Sequence, residues 1–117
     1  MTITASPPAI VHSAFSGPRL VADVGGTNAR FAWQAGPGEP LENVQVLPCA
    51  AYPTLQDAMH AYLAQCGRAL PRHAAIAIAN PVTGDEVRMT NHHWAFSQQA
   101  VRTEFCLTRL RVLNDFT

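Results

Sequence analysis

The feature that most constrains this chain is a glycine pair set between two short apolar runs. Residues 19–24 read Arg-Leu-Val-Ala-Asp-Val, Gly25-Gly26 follows, and residues 29–34 alternate so that Phe31 and Trp33 share one side. This pattern predicts two strands joined as a hairpin. A dinucleotide-binding βαβ unit needs a helix directly after its glycines and Gly-x-Gly-x-x-Gly spacing. Here a strand pattern follows and the spacing is missing, so that reading fails. The turn combines Asp23 with Gly25, Gly26, Thr27 and Asn28. Glycines tolerate positive φ and let backbone amides approach phosphate oxygens, while Thr27 and Asn28 can donate from a hydroxyl and an amide. Asp23 disfavours a bare phosphate and is expected to face a cation or its water shell. The same residues also suit an ordinary tight turn, and the local pattern leaves both readings open.

Composition narrows the choice. All eight basic residues of the 117 are arginines. Without lysine the chain has neither a Walker-type P-loop nor the strand lysine of a protein kinase. Eight acidic residues balance the arginines, with no basic stripe, so no electrostatic footprint for nucleic acid is present. Hydrophobic residues make up 48%, enough for a core at this length. Cys49, Cys66 and Cys106 lack the spacing of a zinc or redox motif, and the expectation is that they are reduced and buried. Residues 1–18 are rich in Ser, Thr, Pro and Ala, with no basic residue and no sustained apolar run. They read as a disordered lead-in, neither a secretory leader nor a membrane span, and suggest a cytoplasmic setting.

Along the rest of the chain, Gly36 to Pro40 is a loop and Val44 to Pro48 an edge-ward strand. Thr54 with Asp57 forms a weak capping box for a helix whose Leu55, Ala58, Met59, Tyr62, Leu63 and Cys66 fall on one face, with Gly67 just past its end. Ala74 to Ala79 reads as a strand buried on both faces, ended by Pro81. A turn at Thr83, Gly84 and Asp85 precedes an extended Glu86 to Thr90, and Ser97 caps a second helix carrying Val101 and Phe105. Trp94 and Phe96 fall on one side as core residues, while His92 and His93 point opposite ways and lack a third ligand. Arg109 to Leu113 is the last strand. It delivers Asn114 and Asp115 at its carboxyl end, where open α/β sheets place their chemistry.

The segment ADVGGTNARFA resembles the first phosphate motif of the sugar-kinase, actin and Hsp70 superfamily, in the version found in bacterial glucokinases. AIAIANPVTGDEVRMTN, HHWAFS and VLNDFT resemble that family's later segments in the same order and spacing, so the likeness spans residues 19 to 117. It implies an α/β fold of the ribonuclease H-like, actin-like kind, with a mixed sheet and flanking helices. Residues 1–18 would be the lead-in, and 19–117 an amino-terminal nucleotide- and sugar-binding domain whose larger partner domain, absent here, activity requires.

The activity implied is ATP-dependent phosphorylation of glucose at O6, the first step of glucose catabolism. By matching residues, Asp115 is the catalytic base, and Asn114 and Asp115 bind the sugar. Ala22, Asp23, Val24, Gly25, Gly26, Thr27 and Asn28 bind the nucleotide, and Asp23 holds Mg²⁺ through water. Asn91 falls near the sugar side, and Arg30 faces either phosphate or a surface acid. ATP and glucose are the implied small-molecule partners, and a homodimer is compatible with the resemblance. An alternative is a kinase segment fused to a DNA-binding, sugar-sensing regulator, as some proteobacterial members are.

Overall fold

The computed structural model describes residues 17–79, 82, 84–89 and 94–114. The readings made above on residues 1–16, Asn80, Pro81, Thr83, Thr90, Asn91, His92, His93 and Asp115 lie outside these.

Strand β1 (Arg19–Val24) runs into the glycine turn and returns as β2 (Asn28–Gln34), and β3 (Leu41–Pro48) follows. After a 3-10 turn at Cys49–Ala51 come α1 (Leu55–Cys66), β4 (His73–Ile78), β5 (Glu86–Arg88), β6 (Ala95–Ser97), α2 (Gln98–Glu104) and β7 (Arg109–Asn114). The main sheet has the order β3-β2-β1-β4-β7, and β5 and β6 form a separate two-stranded ribbon. The pairs β1·β2 and β2·β3 are antiparallel, whereas β1·β4 and β4·β7 are parallel. The sheet is therefore mixed, as the resemblance implied, and three strands point their carboxyl ends the same way.

Local chemistry explains most of the boundaries. The Thr54 hydroxyl accepts the Asp57 N–H at 3.1 Å and donates to the Asp57 carboxylate at 3.0 Å, which satisfies one orphan donor at the start of α1. Gly67 closes the helix in the left-handed region at φ 65°, where a Cβ would be strained. Ser97 accepts the Ala100 N–H at 3.1 Å and caps α2 in the same way. Strand β3 begins at Leu41, earlier than its apolar run suggested. A register shift opposite Phe31–Trp33, with Asn43 at φ 52°, absorbs the extra residue and keeps the strand paired.

Leu20, Ala22 and Val24 of β1 lie in one buried cluster with Phe31, Ala74, Ile76 and Ile78 and with the inner faces of both helices. Phe31 stacks on Tyr62 of α1 with ring centroids 5.4 Å apart. Trp94 is buried and donates from its indole N–H to the Tyr52 carbonyl at 2.9 Å, so its one polar atom stays satisfied. The helices meet where His60 stacks on Phe105 and reaches the Glu104 carboxylate at 2.7 Å. Both described helices thus flank the same face of the sheet. For that reason β4 is fully buried on one side only: Ala75 and Ala77, which point to the other side, are half-buried. The cysteines are free, but only Cys49 is buried, with Cys66 half-buried and Cys106 exposed. Cys106 follows the end of α2 at φ 54°, turned outward by the same left-handed kink that stops the helix.

Candidate phosphate and sugar site

Alternation along β1 separates the roles of its residues. Ala22 and Val24 point into the core, at 1% and 2% exposure, so these two can serve a ligand only through their backbone. Asp23 lies between them on the opposite, open face and is exposed. The antiparallel register sets Arg30 beside Asp23 and Val46 beside Arg30. Among the described residues no ion pair involves Asp23 or Arg30. Asp23, Gly25, Asn28, Arg30 and Val46 line a shallow hollow of about 200 Å³.

The turn is closed by the Gly25 N–H, which donates to the Asn28 carbonyl at 2.9 Å. Neither Gly25 nor Gly26 has positive φ, contrary to the freedom expected of them from sequence. A Cβ built on Gly25 would meet only the Asn28 carbonyl oxygen, at 3.5 Å, an ordinary contact. Among the described residues the Gly26 and Thr27 N–H groups donate to no backbone carbonyl. Thr27 and Asn28, which carry a hydroxyl and an amide, are exposed in the same turn. Such a group of donors around a turn suits the oxygens of an anion.

Beneath the turn lies a residue that sequence reading passed over as a structural thiol. Cys49, fully buried, donates its N–H to the Thr27 carbonyl at 2.8 Å, and its Sγ lies 3.8 Å from the Gly25 carbonyl. Burial pushes its thiol above the ordinary value, so it stays protonated and inert. Its separation of 24 residues from Gly25 leaves no local signal by which to find it.

The parallel register brings Asn114, expected at the sugar, to the same end of the sheet as the glycine turn. Val24, Ile78 and Asn114 are in line across β1, β4 and β7. At the usual strand spacing, two steps put Asn114 about 10 Å from the end of β1. Asn114 is exposed, and Asp115 lies just outside the described residues.

A slightly larger hollow, of about 230 Å³, opens at the start of α2 among Gly84, Asp85, Gln98, Gln99, Arg102 and Leu110. Its acid is already engaged. The Ser97 hydroxyl and the Gln99 N–H donate to the Asp85 carboxylate and hold its pKa below the ordinary value. At the hairpin hollow, by contrast, no ion pair among the described residues involves Asp23 or Arg30. Among the described residues no three His, Cys, Asp or Glu side chains gather as a metal cage.

The chain matches the Glucokinase family over residues 20–117. It belongs to the glucokinase family. It is 58% identical over 100 residues to a glucokinase of Neisseria meningitidis serogroup B, covering 86% of this chain and 30% of that protein. Against the bifunctional protein glk of Burkholderia pseudomallei it is 58% identical over 101 residues, covering 86% of this chain and 16% of the other. Among solved structures, a glucokinase from an Antarctic psychrotroph superposes with a TM-score of 0.79 at 35% identity, over 86% of this chain and 33% of that one. A Balamuthia mandrillaris glucokinase crystallised with glucose shares the fold, with a TM-score of 0.57 at 20% identity over 92% of this chain and 32% of its own. The chain thus spans less than a third of these curated relatives. Equal identity to the plain and bifunctional relatives gives the fused-regulator alternative no support over a plain glucokinase. No helix among the described residues is long and apolar enough to cross a membrane.

Proposed function

We propose that this chain forms the phosphate- and sugar-facing part of a cytoplasmic kinase that transfers the γ-phosphoryl group of ATP to O6 of glucose. The observation that carries the reading is the shared edge: in a member of the glucokinase family, the glycine turn and Asn114 both lie at the carboxyl ends of parallel strands. In this reading residues 19–117 make one wall of a cleft that a further domain completes.

The Gly26 and Thr27 amides, with the Thr27 hydroxyl and the Asn28 side-chain amide, hold phosphate oxygens. Asn114 hydrogen-bonds sugar hydroxyls and orients the ring. The Asp115 carboxylate accepts the proton of the O6 hydroxyl as the new P–O bond forms, which keeps the nucleophile in line with the donor. Arg30, exposed beside Asp23, adds a positive charge for the phosphates.

Mg²⁺ fits these residues. It keeps most of its waters and needs only one or two carboxylates alongside substrate phosphates, and the exposed Asp23 supplies one hard oxygen donor at the rim of the hollow. Bound there through water, the ion would neutralise phosphate charge during transfer.

The test is a coupled assay for glucose 6-phosphate on the complete gene product with Mg-ATP and glucose. Glucose-dependent turnover that Asp115→Asn abolishes is expected. A folded, nucleotide-saturated protein that forms no product would refute the reading.

A further inference from the structure

We infer that Cys49 is a positioning residue for the phosphate turn, holding the carbonyls of Gly25 and Thr27 inward so that the turn's amides face the nucleotide. The inference rests on the proposed phosphate role of that turn. In a trans peptide the C=O and N–H of one unit point in opposite directions. The Cys49 N–H takes the Thr27 carbonyl at 2.8 Å, which turns the Asn28 N–H away from Cys49. Its thiol, 3.8 Å from the Gly25 carbonyl, adds a weaker contact that favours the Gly25–Gly26 unit with the Gly26 N–H directed away in the same sense. Two carbonyls of the turn are thus held toward Cys49, and the N–H groups that follow them, of Gly26 and Asn28, point away from it.

The anchor is itself held. Cys49 has no exposed surface, and its carbonyl accepts the Tyr52 N–H at 3.1 Å in a 3-10 turn. The Tyr52 carbonyl in turn receives the buried Trp94 indole at 2.9 Å. A rigid path of hydrogen bonds therefore runs from the core through Cys49 to the turn. A turn fixed before the ligand arrives spares the ordering cost of binding.

Two variants of the complete gene product separate the contacts. Cys49→Ala removes the thiol and keeps the N–H. Cys49→Pro removes the N–H as well. Pro48 already has the extended conformation, φ −71° and ψ 128°, that a residue before proline prefers, and the first position of a 3-10 turn suits the ring. Two readouts are taken. The first is hydrogen exchange of the Gly25 amide without nucleotide, with α1 amides as the check on folding. The second is KM for Mg-ATP against KM for glucose.

The Gly25 amide is expected to exchange about tenfold faster in Cys49→Pro than in Cys49→Ala, with α1 unchanged. KM for ATP should rise by about 3- to 10-fold, as for one lost hydrogen bond, and KM for glucose should stay constant. Equal exchange in wild type and both variants overturns the inference. So does a parallel rise in both KM values, which marks a general loss of packing. If wild type turns over no glucose, the proposed function fails, while the exchange data still decide whether Cys49 holds the turn.

Discussion

Gly25→Ala separates what the turn does for the fold from what it does for a ligand. The added Cβ would lie 3.5 Å from the Asn28 carbonyl oxygen, with nothing else near among the described residues, and Gly25 is not in the left-handed region. The methyl group therefore costs the folded state nothing by clash or strain. Replacing glycine where alanine fits removes freedom from the unfolded chain and stabilises by about 0.4–1 kcal/mol. Binding should move the other way, because Gly25 lines the hollow beside Asp23 and Arg30. A methyl at this wall keeps a phosphate oxygen from close approach to the amides. Losing one hydrogen bond to a charged group is worth about 1.5–3 kcal/mol, or about 10- to 150-fold in affinity. Differential scanning calorimetry and Mg-ATP titration calorimetry on the complete gene product read the two effects. A variant with unchanged or raised Tm and much weaker nucleotide binding is expected. Unchanged ATP affinity in the folded variant would return the turn to an ordinary hairpin, and a large drop in Tm would refute the steric reasoning.

Asp115→Asn keeps shape but removes the base, so kcat should fall by about 10²- to 10⁴-fold with glucose affinity nearly intact, as steady-state kinetics will show. Thr54→Ala removes the hydroxyl that caps α1, and urea unfolding should register a loss of about 1 kcal/mol. Asp85 has its pKa lowered by the Ser97 hydroxyl and the Gln99 N–H, so its contribution to stability is present above the ordinary value of 3.8 and is lost as pH falls through the lower folded value. Acid titrations followed by circular dichroism should accordingly show a shallower loss of stability below that pH in Asp85→Asn than in wild type. The 117-residue chain made alone should show no glucose phosphorylation in the coupled assay, because catalysis in a cleft needs both walls to exclude water and align the reacting oxygen.

What the sequence revealed and what it concealed divide by distance along the chain. Thr54, Gly67 and Ser97 were legible because a cap is made by residues within one helical turn of each other. The hairpin was legible because the β1 and β2 patterns flank it directly. Whether a strand is covered on one face or two is set by where distant helices pack, and α1 and α2 meet through His60, Glu104 and Phe105 on the same side of the sheet. The apolar run of β4 could not report that. Nor could it report that Asp23 shares its face with Arg30 and Val46, which depends on register across three strands. Cys49 is the clearest case of the limit. Its composition argues only for a buried thiol, and its neighbours Pro48 and Ala50 carry no chemistry. Yet the carbonyls it holds belong to the turn that local reading had already singled out, so the chemistry of that turn was visible while the means of fixing its orientation was not. Donors can be read from residue types; the direction in which they point is a property of contacts between segments.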